Sequence, residues 1–278
     1  MNKKIFLWTI AFILTLFLGY YQRITGPTYP LSGSMKLNSE VINYNLERSH
    51  GGEGDHLVQI NIHSKSVTGV LYWKKYKVNE DWNKVPMLNR DSILSGYLPH
   101  QPPAGKLIYK IVLADNSNKI ILPQDGPVII RFKGDVPTLI LIVHIILIFL
   151  SMLLSTRTGM EVFNKNPVYK NLTFLTVIIF IFGGFIFGPI VQKYAFGEYW
   201  TGFPFGTDLT DNKVLLAFLA WLPALFLILK NKNPKKWIIF AAVFMFVVFL
   251  IPHSLFGSEL DYNQSNKKNI KEVNSIEK

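Results

Sequence analysis

VPTLILIVHIILIFLSMLL, residues Val136–Leu154, carries a single ionisable side chain, His144. A helix needs about 20 apolar residues to cross the hydrocarbon core of a bilayer, with about 17 as the lower limit. Core helices of water-soluble proteins show a polar stripe, and this stretch has none. Ile5–Tyr21, Leu172–Val191, Val214–Leu229 and Trp237–Leu255 read the same way. Val214–Leu229 is short, but its flanking lysines can snorkel to the interface. Trp237–Leu255 stays apolar until Pro252 and His253. Lipid offers the backbone no hydrogen-bond partner, so each stretch is expected to be a helix. The expectation is five transmembrane helices.

Lysine and arginine in short loops set the orientation. Lys3 and Lys4 precede the first span, Arg157, Lys165 and Lys170 follow the second, and Lys230, Lys232, Lys235 and Lys236 follow the fourth. Five crossings put all three clusters on one side, the cytoplasm. The loop 192–213 and the C-terminus then face outward. The first span has the basic start and apolar core of a signal peptide, but Gly19-Tyr20-Tyr21-Gln22-Arg23 offers no small-x-small cleavage site. It reads as an uncleaved anchor.

The net charge of +11 follows largely from these loop lysines. No basic helix with interleaved aromatics accompanies it, so nucleic acid is not an expected partner. The chain has no cysteine, which removes disulfides, thiol catalysis and cysteine-held metal centres. Asn263–Lys278 is polar and lysine-rich and reads as a disordered tail.

Between the first two spans the pattern changes to alternation and turn signals. Lys106–Leu113 (KLIYKIVL) places Leu107, Tyr109, Ile111 and Leu113 on one face of a strand. Leu57–Ile62, Thr68–Lys77, Lys119–Leu122, Pro127–Lys133 and Glu40–Arg48 read as further strands. Gly51–Gly54, Ala114–Asn118 and Gln124–Gly126 are the turns. About seven short strands in about 100 residues suggest an antiparallel sandwich over residues 34–135. His50, His56, His63 and His100 are scattered through it and read as surface imidazoles. Pro27, Pro30, Gly26 and Gly33 make residues 23–33 a short, stiff tether.

One run in this insert is Tyr72-Trp73, Trp82, Val85-Pro86-Met87, Tyr97-Leu98-Pro99, then Pro103-Ala104-Gly105 and Tyr109. It resembles bacterial immunoglobulin or fibronectin type III-like modules. The resemblance covers about a third of the chain. It implies a β-sandwich and a binding role, and it implies no catalysis.

At the outer face, Phe196–Lys213 (FGEYWTGFPFGTDLTDNK) is crowded with aromatics. Trp200, Phe203 and Phe205 are candidate binding-surface residues, against the alternative of an interfacial aromatic belt. Thr210 or Asp211 is expected to cap the fourth helix. An ionisable residue inside a membrane is a functional candidate because burying it is costly. Helical rise puts His144 about 10 Å into its span, and His253 lies near the outer end of the fifth. Three readings stay open: His144 bonded to a neighbouring helix carbonyl, a divalent metal held by His144 and His253 with Glu198, Asp208, Asp211 or Glu259, and a haem between the two histidines. Gly184 and Gly188 form a GxxxG, which allows close helix contact. No Walker loop, Rossmann fingerprint, HExxH or GxSxG occurs.

The sequence therefore reads as a polytopic α-helical membrane protein with an inserted all-β immunoglobulin-like sandwich. Residues 1–22 form the first helix, and 136–262 a four-helix region (136–154, 172–191, 214–229 and 237–255). A bacterial inner membrane is the expected location, with the N-terminus cytoplasmic and the β domain and C-terminus outside. Lipid and other membrane or extracytoplasmic subunits are the expected partners. The expected role is a noncatalytic binding or accessory module. The rival is a redox or metal-binding protein using His144 and His253, with haem or a divalent metal as cofactor.

Overall fold

The structure, a computed structural model, describes residues 3–64, 66–115, 118–252, 255, 257 and 259–262. The chain forms a helical unit, Met1–Pro27 with Val136–Ser258, and a β unit, Thr28–Asp135 with Glu259–Lys278.

The helical unit contains α1 (Lys3–Thr25), α2 (Thr138–Glu161), α3 (Tyr169–Phe180), a π-helical segment (Ile181–Phe187), α4 (Gly188–Phe196), α5 (Leu209–Leu229) and α6 (Lys235–Leu250). Tyr169–Phe196 runs as one continuous helix, so α3, the π segment and α4 make a single span. Large apolar side chains such as Phe12, Leu139, Ile146, Phe226 and Val243 are exposed around the outside of the bundle. Hydrocarbon is the solvent that suits such a surface.

Among the described residues, four helices, not five, are long and apolar enough to cross a membrane: α1, α2, the α3–α4 run and α5. The expected fifth span, 237–255, is cut short. Ile251 is extended (φ −68°, ψ 123°), as a residue preceding proline prefers. Pro234 stands before α6 and Pro252 just beyond it, leaving 16 helical residues. These rise about 24 Å, less than the roughly 30 Å hydrocarbon core. His253 and the tail 263–278 lie outside the described residues.

Inside the bundle, small and hydroxylated residues let helices approach closely. Ser151, Ser155 and Thr158 of α2 and Thr173 and Thr176 of α3 are all buried. Thr158 and Thr176 hydroxyls meet at 3.2 Å, and each donates to the carbonyl four residues back. A Cβ on Gly184 would lie 2.8 Å from Val214 Cγ1, and one on Gly159 would lie 2.7 Å from Ala242 Cβ. Near the end of α2, Arg157 pairs with Glu161 at 2.5 Å with both side chains buried. The Arg157 guanidinium also sits 5.4 Å from the Trp8 ring centroid. Desolvating both ions makes the pair more a constraint on packing than a source of stability.

Among its described residues the β unit has eleven strands rather than about seven: β1 (Leu31–Leu37), β2 (Glu40–Leu46), β3 (Ser49–Gly51), β4 (His56–Asn61), β5 (Thr68–Lys75), β6 (Asn83–Pro86), β7 (Leu88–Arg90), β8 (Ile93–Leu98), β9 (Lys106–Ala114), β10 (Lys119–Leu122) and β11 (Val128–Lys133). β1 and β2 form a hairpin; a second sheet runs β3-β11-β9-β5-β6 with β10 on β9, and a third runs β4-β8-β7. Every pairing is antiparallel except β3 with β11. All three sheets contribute to one core, including Ile42, Ile60, Leu71, Leu94 and Phe132. Leu107, Tyr109, Ile111 and Leu113 are fully buried in it. Tyr109 keeps its hydroxyl satisfied by donating to Glu47 O at 2.8 Å.

The opposite face of β5 and β9 is basic and aromatic. The Lys110 ammonium lies 4.7 Å from the Trp82 ring centroid and 5.8 Å from that of Tyr72, while Lys74 and Lys84 approach the same two rings. Such contacts contribute about 0.5–1 kcal/mol each at exposed sites. Trp73 packs against the core instead.

Two of the four histidines expected at the surface are not independent. His56 is buried, and its Nδ1 lies 3.2 Å from His50 Nδ1. β3 and β4 are separate strands joined by a glycine turn, which folds the rings together. His50 and His100 each reach Gly54 O and each set an edge against Phe132. Burial and the neighbouring His50 charge lower the His56 pKa to about 4.

Taken together, the chain is a multi-pass helical membrane protein with a substantial extracytoplasmic β-rich insert.

Candidate functional site

Polar side chains collect where α5 begins. Asp208 caps the helix, its Oδ1 accepting from Thr210 N at 2.7 Å. Neither Thr210 nor Asp211, the expected caps, takes that position. Asp211 instead faces back to the preceding loop. Its Oδ2 accepts from Thr201 N (2.6 Å), Gln192 Nε2 (3.0 Å) and Thr201 Oγ1 (3.2 Å). The Thr201 hydroxyl lies equally close to Asp208 Oδ2. Asn212 Oδ1 accepts from Phe203 N at 2.7 Å. The first turn of α5 therefore holds the loop 197–208 in a fixed shape. Gly202 is required at its closest approach, since a Cβ there would lie 2.6 Å from Asp211 Cβ.

Lys213 is 2% exposed. Its ammonium donates to Ile251 O at 3.0 Å, just past the end of α6, and sits 5.7 Å from the Phe249 ring centroid. Carbonyls at a helix C-terminus carry partial negative charge, which favours a cation there. Gln22 of α1 donates through Nε2 to Phe249 O. α1, α5 and α6 thus meet through polar contacts at one end of the bundle.

A cavity of about 110 Å³ lies among these groups, lined by Gln22, His144, Gln192, Asp208, Asp211 and Lys213, with Gly184 and Gly188 on its wall. That volume equals about three water molecules. His144 Nδ1 is 3.0 Å from Gly183 O. A carbonyl only accepts, so His144 donates through Nδ1. The same carbonyl accepts from Gly188 N–H, five residues on, which is the π-helical spacing. Of the three readings of His144, the helix-carbonyl bond is the contact present.

The aromatic loop divides in two. Trp200 stacks on Phe185 at 5.8 Å between centroids and donates through Nε1 to Phe203 O. Phe203 and Phe205 project from the tip, 68% and 82% exposed. Glu198 is exposed as well. Asp208 and Asp211 line the cavity, whereas Glu259 belongs to the β unit and bonds Lys77 and Lys106. Among the described residues, no three His, Asp or Glu side chains group as metal ligands.

Lys213, Gln192 and Gln22 were not singled out by sequence. Lys213 reads there as a basic residue at a loop end. The available signal was its spacing behind two acids, Asp208-x-x-Asp211-x-Lys213, at the head of an apolar helix. Comparison with known proteins gives no matching protein-family model and no curated relative.

Proposed function

We propose that this chain is a noncatalytic accessory or binding protein of the membrane, presenting an immunoglobulin-like module outside the cell membrane. The strand order carries the reading. With β3, β4, β5, β6, β7, β8, β9 and β11 as strands A′, B, C, C′, D, E, F and G, the sheets run A′-G-F-C-C′ and B-E-D. This agrees with the order of immunoglobulin-type sandwiches. Trp73 on strand C packing on the core and Tyr109 on strand F bonding back to the backbone add to the likeness. The hairpin β1–β2 and the absence of a B–F disulfide are departures from it.

The polar cavity fits a supporting role. Its charged groups are tied to loop and helix-end backbone, an arrangement that fixes geometry rather than freeing a reactive group. In this reading the tail residues bonded to the β unit share that unit's side of the membrane. A reporter after Tyr262 should therefore behave as external.

Purification in mild detergent tests the role. A stoichiometric protein subunit retained with the chain, and lost on substitution of β-domain surface residues, is the expected result. A Soret band, or one bound metal per chain lost in His144→Ala, would replace this reading with the redox or metal alternative.

A further inference from the structure

Tail residues Glu259–Tyr262 belong to neither a sheet nor the helical bundle, yet they are held by three different kinds of contact within four positions. The Tyr262 side chain is 8% exposed. Its hydroxyl accepts from Lys106 N at 2.9 Å and lies 3.0 Å from Gln101 Oε1 and 3.1 Å from Lys106 O. One hydroxyl proton serves those two acceptors in turn. Gln101 is oriented for the purpose: its Nε2 donates to Pro99 O and His100 O, which leaves Oε1 facing the tyrosine. Burial raises the Tyr262 pKa to about 12, so the hydroxyl stays protonated and able to donate.

The second contact is to backbone. Leu260 N donates to Ala104 O at 3.0 Å, and Ala104 sits in the left-handed region (φ 67°). The third is ionic. Glu259 is held between Lys77 and Lys106, and both ammoniums lie over the Tyr76 ring at 5.3 and 5.5 Å. Lys75 approaches the Tyr262 ring at 5.3 Å. Beside the segment remains a cavity of about 280 Å³, bounded by Tyr76, Lys77, Val78 and Lys106.

A socket for a tyrosine, a main-chain acceptor and a two-lysine clamp three residues upstream together read a short motif. We propose that this end of the β domain is a recognition groove for acidic peptides of pattern Glu-x-x-Tyr, with Glu259–Tyr262 as its resident occupant. The proposal deepens the binding-module reading and rests on it. The partner it fits is an acidic segment of another protein that carries the same spacing. Such a segment has to displace the tail. A tethered segment acts at an effective concentration on the order of millimolar, so the resident tail guards the groove against weak competitors. The free cavity leaves room for a partner residue larger than the exposed Asp261.

The test uses the full chain in detergent and a fluorescent peptide, GSELDYNQ. The Tyr262→Ala chain should bind it at least tenfold more tightly than the wild type does. The same peptide with Tyr changed to Phe should bind about tenfold more weakly, through loss of the hydroxyl contacts. A Tyr262→Ala chain whose β domain unfolds at the wild-type temperature but which ignores the peptide, or binds a Tyr-to-Ala peptide equally well, overturns the proposal. Should Tyr262→Ala destabilise the domain, a chain with a protease site inserted after Gly257 replaces it. After cleavage the tail must exchange for the labelled peptide, and a tail that stays bound under excess peptide also overturns the proposal. Peptide exchange with no subunit co-purifying would instead spare the groove and sink the accessory role.

Discussion

Asp211 is where the loop and the helical bundle are joined, and removing its carboxylate should release the loop. In Asp211→Ala, Thr201 N, Thr201 Oγ1 and Gln192 Nε2 lose the oxygen they share at 2.6–3.2 Å. Leaving a buried donor unmade costs about 1–3 kcal/mol. The Thr201 hydroxyl retains Asp208 at 3.2 Å and the Gln192 amide retains Thr201 Oγ1 at 2.7 Å, so Thr201 N is the donor left stranded, at about 1–3 kcal/mol. For a helical unit of this size, that corresponds to a fall of about 2–12 °C in unfolding midpoint. Asp211→Asn keeps the shape and one acceptor, and should cost about 1 kcal/mol. Thermal unfolding in detergent by intrinsic fluorescence measures the midpoint, and limited proteolysis at residues 197–208 reads the loop. If Asp211→Ala stays within 1 °C of wild type and the loop resists protease, the loop is held by something else and the account of the site is wrong.

Gly184→Ala should destabilise the bundle by about 1–3 kcal/mol, because the new methyl meets Val214 Cγ1 at 2.8 Å. Adding Val214→Ala should restore part of the loss, and an additive double mutant would argue against that contact. His56 is held near pKa 4 against an ordinary 6.5, so between those values the unfolded chain binds more protons. β-domain stability should be complete above about pH 6.5 and decline on acidification towards pH 4, by about 2 kcal/mol. His56→Gln should flatten that slope in a pH series of unfolding midpoints. Burial pushes Glu259 up, but the Lys106 and Lys77 contacts win and its pKa is lowered. Its contribution to tail docking is therefore present above the ordinary carboxylate pKa and is lost as pH falls through the lowered value. A fluorophore on the C-terminus should gain rotational freedom in that acid range, and Glu259→Gln should abolish the transition.

The sequence made the periodic parts legible and the convergent parts obscure. Val136–Leu154 and Lys106–Leu113 declare themselves because every residue obeys one solvent rule. The end of α6 was also written there, in Pro252, but hydropathy outweighed the proline and five spans were expected where four meet the length. The count of β strands was low partly because β3 and β7 are three residues each, too short to alternate, and partly because β1 (Leu31–Leu37) begins inside the stretch expected to be an irregular tether. Asp208 and Asp211 were singled out as possible ligands, yet their partners Thr201 and Gln192 come from other elements. Such meetings are invisible to spacing rules. His50 and His56 meet for the same reason, through a turn between two strands.

The π-helical segment Ile181–Phe187 has a further consequence for the span that contains it. It works as a one-residue insertion, and each residue of an α-helix advances about 100° around the axis. Everything from Gly188 onward is therefore turned by about a quarter circle relative to an uninterrupted helix. That turn carries the Gln192 amide round to Asp211. Relaxation of this segment to a regular α-helix at constant length would turn that amide away from Asp211, whereas deleting one residue within it would remove the bulge and leave the phase beyond it unchanged.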